Sequence, residues 1–310
     1  MSPVWFHVAA IAAVAVWATS FICTKVLLQN GFNPVEIFLF RCAIAYFLLL
    51  AVSKGEISTV RGGGYRHELL FVLCGVCGGS VYFVTENTAL LYTSTSNVSL
   101  ITSTPPLLTA LLVGFMYKDE RPNVGLVTGS IVAFIGVVCV IFNGSSGSHG
   151  EDTGTEVIGS SMLGDGLAMM SAVCWSFYGL LLRKLNAFYS AIFITRKTFF
   201  YGFITALPFL LLEKSNLTME TFTIPSVWFN MLFLGIVCSS LAFLIWSWVT
   251  AGIGAVKTNN YLYFQPIITL IIAAIVLSEG ISVAGVAGCV ITIGGVWLGE
   301  NLSRRIESRR

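Results

Sequence analysis

Long apolar stretches follow one another along almost the entire chain, and short polar segments separate them. Each stretch is about 20 residues long, the length that a helix needs to cross a bilayer core of about 30 Å. The pattern therefore predicts an all-α polytopic membrane protein with ten transmembrane helices. The predicted spans are residues 4–28, 35–53, 68–91, 96–116, 123–142, 163–182, 190–212, 227–249, 256–277 and 282–299.

Several sequence features occur twice, at an offset of roughly 160 residues, as expected for two fused halves of a transporter. The paired features are Trp17 to Lys25 with Trp175 to Arg183, and Glu120, Gly129 and Gly136 with Glu279, Gly288 and Gly295. Each half holds five spans, so the second half enters the membrane from the opposite face and the repeats are inverted. We predict repeats at 1–142 and 162–300, an exposed linker at 143–161 and a basic tail at 301–310.

Composition agrees with a membrane location. Of 310 residues, 56% are hydrophobic and only 10% are charged, whereas soluble domains carry about 25% charged residues. The basic residues concentrate in alternate loops and in the C-terminal tail. By the positive-inside rule we expect a multi-pass protein of the plasma (bacterial inner) membrane, with both termini in the cytoplasm.

The chain resembles the EamA-type transporters of the drug/metabolite transporter superfamily. The resemblance covers nearly all of the sequence, and its motifs are the end of the first span from Trp17 to Lys25, Arg41 in the second, Pro105-Pro106 in the fourth, the Lys118-Asp-Glu-Arg-Pro122 turn, and Gly129 with Gly136. It implies ten helices around a central cavity lined by helices one, three, four, six, eight and nine. The two halves differ at one point of this pattern, because the second half has the single Pro266 where the first half has Pro105-Pro106.

Matching prolines inside two spans indicate a substrate site at the membrane midplane, because a broken helix leaves backbone carbonyls free to face a substrate. Polar residues flank these prolines, and aromatic residues lie at the middle of several spans. Each set could instead serve only helix packing. The cavity candidates are Trp17, Tyr82, Asn97, Thr102, Pro105, Pro106, Trp175, Tyr178, Trp246, Asn260, Tyr263, Gln265 and Pro266.

Charged residues inside spans are few, and Lys25, Arg41 and Glu86 fall at similar depth by helical rise. We expect these three side chains to meet in one layer. Two interpretations remain open: Glu86 exchanges protons and couples transport to a gradient, or it forms a structural ion pair that holds the helices in place. No acid in the second half corresponds to Glu86.

The function that these features favour is secondary transport, with export of small metabolites such as amino acids or amphipathic organic compounds by alternating access. The sequence has no phosphate-binding loop and no catalytic HExxH or Ser–His pattern, so we expect no enzyme activity, cofactor, metal site or nucleic-acid partner. The glycines of the fifth and tenth spans let helices approach closely, so we assign them to scaffold packing, which could include a dimer interface. The expected partners are a small-molecule substrate, the lipid bilayer and a second copy in a homodimer. A non-transporting sensor or scaffold and an intramembrane enzyme are the alternatives.

Overall fold

The computed structural model describes residues 4–53, 64–116, 124–144, 155–276 and 283–307, and within these ranges the chain is helical, without strands. The α-helices are α1 (Val4–Gln29), α2 (Pro34–Val52), α3 (Gly64–Gly75), α4 (Val81–Tyr92), α5 (Thr95–Ile101), α6 (Pro105–Met116), α7 (Val124–Gly144), α8 (Thr155–Asn186), α9 (Ala191–Leu210), α10 (Pro225–Leu232), α11 (Ala242–Ile253), α12 (Ala255–Asn259), α13 (Gln265–Val276) and α14 (Val283–Glu307). Two π-helical segments, Val76–Ser80 and Phe233–Leu241, join α3 to α4 and α10 to α11.

Five helical stretches in the described part of the chain are long and apolar enough to cross a membrane. They are Val4–Gln29, Pro34–Val52, Gly64–Tyr92, Met162–Asn186 and Pro225–Ile253. Large apolar side chains such as Phe47 and Ile275 are more than half exposed on the outside of the bundle. A soluble protein would bury much of this surface, whereas lipid accepts it.

The turn between α1 and α2 shows how local sequence sets helix ends. Gly31 has a φ of 93°, a conformation that glycine adopts without steric cost. Asn33 and Glu36 then form a capping box, in which the Asn33 side chain accepts from the Glu36 backbone N–H and Glu36 accepts from that of Asn33. Pro34 follows at the first helical position, where its missing N–H costs nothing. α2 therefore starts at a defined residue.

The predicted proline positions coincide with breaks between helices. α5 ends at Ile101 and α6 starts at Pro105, and the hydroxyls of Thr102, Ser103 and Thr104 between them donate to carbonyls three or four residues back. In the second half a 3₁₀ turn at Asn260–Phe264 separates α12 from α13, and Pro266 is the second residue of α13. Because proline tolerates the first turn of a helix, these residues start new helices.

Helices occupy parts of the two segments that the sequence predicted as a linker and a tail. α7 continues to Gly144 and α8 starts at Thr155, so helical structure occupies both ends of the predicted linker at 143–161. Residues 145–154 lie outside the described residues. α14 continues to Glu307 and so includes most of the predicted tail at 301–310. Once a helix exists, each added residue gains a hydrogen bond without a new nucleation cost, which favours such extensions.

α7 and α14 pack closely along a line of glycines. A Cβ added to Gly129 would lie 2.2 Å from Gly299 Cα, and one added to Gly295 would lie 2.3 Å from the backbone nitrogen of Ala133. Small residues permit this approach, which gains van der Waals contact in lipid. The predicted packing role of these glycines is thus met within one chain.

We predict that Gly295→Ala lowers the melting temperature of the protein in detergent. The new methyl group would meet backbone atoms of α7, and relieving such overpacking costs about 1–3 kcal/mol. Gly294→Ala is the matched control, because a Cβ there has no atom within 4 Å and alanine is the better helix former. Equal melting temperatures for the two variants, measured by intrinsic fluorescence, would contradict close α7–α14 packing.

Candidate functional site

A pocket lies in the middle of the bundle, where the two helix breaks approach α1, α2, α4, α8 and α11. Its empty space is about 360 Å³, open mouth included. Its wall combines aromatic rings with a few polar and charged groups, the usual composition of a small-molecule site. The lining residues are Trp17, Ser20, Phe21, Arg41, Tyr82, Phe83, Glu86, Thr102, Trp175, Phe243, Leu262 and Gln265.

The apolar wall is a connected group of rings. Trp17 meets Trp175 edge-on with ring centroids 5.1 Å apart, and Tyr82 lies 5.0 Å from Trp175. These separations suit favourable aromatic pairs. The Trp17 indole N–H donates to the carbonyl of Cys238 at 3.0 Å, which lies in the second π-helical segment. The indole N–H of Trp175, by contrast, is buried without an acceptor among the described residues.

The charged wall consists of Arg41 and Glu86. Arg41 is 1% exposed; its Nε donates to the Ser239 hydroxyl at 2.9 Å, and its guanidinium carbon lies 4.1 Å from the centroid of the Phe83 ring. Glu86 is 5% exposed and accepts a hydrogen bond of 2.5 Å from the Tyr82 hydroxyl, one helical turn earlier. Among the described residues no ion pair joins Arg41 to Glu86, although both side chains face one pocket.

Lys25 does not join this layer, contrary to the sequence expectation. Its Nζ donates to the carbonyl of Leu90 at 2.6 Å, near the end of α4. A lysine at that position satisfies a carbonyl that the helix leaves free at its C-terminus. Of the three charged residues predicted to share one layer, Arg41 and Glu86 line the pocket and Lys25 does not.

Two basic residues of α9 in the second half, Arg196 and Lys197, are not among the residues that line the pocket. Lys197 forms an ion pair with Glu68 at 2.6 Å, Tyr201 donates to the same carboxylate, and Arg196 donates to the Ser53 hydroxyl at 2.6 Å. The sequence analysis did not identify Glu68 as the partner of Lys197, because Glu68 lies in the other half of the chain. In the described part of the chain no group of three His, Cys, Asp or Glu side chains could hold a metal ion.

The two helix breaks contact each other. Gln265 at the start of α13 donates to the Thr102 hydroxyl at 3.5 Å, and both residues line the pocket. Asn259 donates to Thr109 at 2.7 Å, and Ser99 bonds to Thr269 at 2.9 Å. These three side-chain bonds join segments of the first half to segments of the second half, at the breaks and in the helices next to them.

The remaining candidates lie outside this pocket. Trp246 packs behind Trp17 with centroids 4.9 Å apart, and Tyr178 packs behind Trp175 at 5.3 Å. Tyr263 donates to the Ser130 carbonyl, and Asn97 donates to Thr93. Asn260 is buried in the 3₁₀ turn. Pro105, Pro106 and Pro266 begin the helices that follow the breaks and are not among the lining residues.

Sequence reasoning missed part of the lining and its support. Ser20 and Phe21 share a helix face with Trp17, as the spacing of three and four residues requires, so helical periodicity could have identified them. Phe83, Phe243 and Leu262 resemble ordinary apolar residues in sequence. Ser239 supports Arg41 from the second π-helical segment, and a polar residue within an apolar span was the available signal.

We predict that Ser239→Ala destabilises the protein more than Ser240→Ala does. The first change removes the acceptor of a buried guanidinium N–H, and hydrogen bonds to charged groups contribute about 1.5–3 kcal/mol. The second removes a hydroxyl that donates to the Gly235 carbonyl and does not touch Arg41. Thermal unfolding in detergent compares the two; equal losses would mean that Ser239 does not support Arg41.

Comparison with known proteins agrees with this architecture. The profile of the EamA-like transporter family matches residues 4–142 and 162–299. An uncharacterized transporter of Archaeoglobus fulgidus is 26% identical over 296 residues, covering 94% of this chain and 96% of that protein. The uncharacterized transporter YyaM of Bacillus subtilis is 30% identical over 243 residues, covering 77% and 75%. A solved crystal structure with 19% identity superposes with a TM-score of 0.69 over 98% of each chain, which supports the fold. The chain therefore belongs to the EamA-like transporter family of membrane proteins.

Proposed function

We propose that the protein is a secondary transporter that exports small metabolites, such as amino acids or amphipathic organic compounds, by alternating access through the central pocket. The proposal includes ten spans in two inverted repeats, residence in the plasma (bacterial inner) membrane and cytoplasmic termini. The observation that carries it is the pocket itself, where aromatic rings surround two opposite charges beside two broken helices.

The position of the breaks supports a binding role for this pocket. Irregular backbone at membrane depth is tolerated where protein buries it or where it lines a cavity. Thr102 follows α5 directly, Leu262 lies in the 3₁₀ turn, and Gln265 is the first residue of α13; all three line the pocket. Helices broken at corresponding places in two repeats are the arrangement in which transporters hold substrate near the midplane.

The paired π-helical segments support movement around the pocket. Val76–Ser80 and Phe233–Leu241 occupy corresponding places in the two halves, and each leads directly into a helix that lines the pocket. A π-helical turn has a looser hydrogen-bond pattern than an α-helix and is frequent at functional sites. We propose that these turns absorb the bending as the two halves rock between inward-open and outward-open states.

Glu86 is the residue through which we propose proton coupling. Its carboxyl group is buried, its one described side-chain partner is the neutral Tyr82 hydroxyl, and Arg41 does not neutralise it by a direct ion pair. An ionisable group in this position at membrane depth is a candidate for a proton relay. A permanently paired structural carboxylate would instead be expected within 4 Å of a cation.

The test is transport by purified protein in proteoliposomes with an imposed pH gradient. Amino acids, other small metabolites and lipophilic cations are offered separately to the wild type and to Glu86→Gln. We expect the gradient to accelerate flux of one class in the wild type, and Glu86→Gln to lose that acceleration while it still exchanges labelled for unlabelled substrate. Exchange needs the pocket and the conformational change, but it does not need a net proton movement.

Glu36→Gln is the matched control, because Glu36 is a buried acid outside the pocket and glutamine also satisfies a capping box. We expect its gradient response to equal that of the wild type. Loss of both exchange and stability in Glu86→Gln would make Glu86 a structural residue. Absence of flux for every class in folded wild-type protein would contradict transport and favour a sensor or scaffold.

A further inference from the structure

Arg41 presents hydrogen-bond donors that the described part of the protein does not use. Its Nε is bonded to Ser239, but its two terminal nitrogens, Nη1 and Nη2, are buried without an acceptor. Its one close aromatic neighbour, Phe83, faces the guanidinium carbon and offers no acceptor atom to these nitrogens. A buried cation with unsatisfied donors is costly, so this arrangement needs a partner that arrives from outside.

Glu86 is the obvious internal partner, yet its geometry differs. Its Oε1 accepts from Tyr82, and no ion pair within 4.0 Å connects it to Arg41. Arg196 provides a useful contrast, because its Nη1 is bonded to the Ser53 hydroxyl and it does not line the pocket. Arg41 is therefore the arginine of this pair whose side chain lines the pocket and whose buried terminal nitrogens have no acceptor among the described residues.

The chemistry of the free donors defines the ligand group. The two terminal nitrogens of a guanidinium form a planar fork that matches the two oxygens of a carboxylate. A phosphate dianion would also fit the fork, but its second charge would be left in a largely apolar pocket. Trp175 also lines the pocket, and its buried indole N–H is a second donor without an acceptor among the described residues. This donor set favours a monoanion with planar oxygens.

The rest of the wall defines the body of the ligand. Trp17, Phe21, Phe243 and Leu262 surround the pocket with apolar surface. Burying an apolar group against such a wall is favourable, and an aromatic ring of the ligand could add further ring contacts to those that Trp17, Trp175 and Phe243 already make with one another. The ligand therefore combines one carboxylate with a compact apolar or aromatic body.

We propose that Arg41 anchors the carboxylate of a small monocarboxylic substrate whose aromatic or apolar body lies against Trp17 and Trp175. This inference rests on the proposed function, since it takes the central pocket as the substrate site. The substrate must then carry a carboxylate, and Arg41 is the residue that binds this group.

The experiment compares ligands that share one body and differ in the terminal group, a carboxylate against a neutral amide. Binding of 3-phenylpropionate and of its primary amide, 3-phenylpropionamide, to the full chain in detergent is measured by calorimetry, with phenylalanine as a zwitterionic third probe. We expect a carboxylate to bind at least about tenfold more tightly than the amide, the ratio for one charge-assisted hydrogen bond. Arg41→Gln is expected to bind acid and amide equally, and Arg41→Lys to retain part of the preference.

Arg196→Gln is the control variant and is expected to keep the full preference for the acid. Three results would overturn the anchor: equal binding of acid and amide to the wild type, a preference that survives in Arg41→Gln, or no heat from either carboxylate up to its solubility. If Arg41→Gln does not fold, the wild-type ratio and Arg41→Lys decide the question. Phenylalanine bound more tightly than 3-phenylpropionate would identify a zwitterionic ligand, with the carboxylate anchor unchanged.

Flux measurements with the same compounds separate this inference from the proposed function. If the protein binds carboxylates through Arg41 but moves none of them across proteoliposomes, the anchor stands and the transport proposal fails. If it transports neutral or cationic compounds and binds no carboxylate, transport stands and the anchor fails.

Discussion

Backbone hydrogen bonding in the absence of water is the constraint on which this structure depends. In lipid each unsatisfied peptide group costs several kcal/mol, so a membrane helix is expected to remain regular. This chain interrupts two helices at corresponding places, and local hydrogen bonds satisfy the α5 carbonyls at the first interruption. The backbone N–H groups of Thr102, Ser103 and Thr104 donate to these carbonyls, and the hydroxyls of the same residues donate to α5 carbonyls as well. Gln265 at the other break donates to the Thr102 hydroxyl.

The second π-helical segment has a similar supporting role. Its Cys238 carbonyl accepts the Trp17 indole N–H, and its Ser239 hydroxyl accepts the Arg41 Nε–H. Two residues of the first half are thus oriented by adjacent residues of the second. Any bending of this segment would move an aromatic and a charged element of the wall together. This linkage gives a physical route by which occupation of the pocket could affect the relation between the halves.

The halves share a plan but differ in charge. Arg41 lines the pocket, while Arg196 and Lys197, basic residues of α9 in the second half, bond to Ser53 and Glu68 outside it. Glu86 has no counterpart in the second half. Both the arginine and the glutamate of the pocket wall, Arg41 and Glu86, therefore come from the first half of the chain. The symmetric packing of α7 against α14 by glycines belongs to the scaffold and leaves this asymmetry undisturbed.

The sequence by itself determined the features that depend on composition and periodicity. Apolar length predicted helices in a membrane, the repeated Trp-to-cation spacing indicated two halves, and matching prolines located both breaks. Three aromatic residues at mid-span and two polar residues near the prolines were identified as cavity candidates and line the pocket, namely Trp17, Tyr82, Trp175, Thr102 and Gln265. Only the tertiary structure decided which candidates share a wall: Tyr263 turns to Ser130, Lys25 bonds to Leu90, and Lys197 meets Glu68 from the other half. The physical reason is that helical rise fixes the depth of a residue, whereas its partners depend on how neighbouring helices rotate and pack.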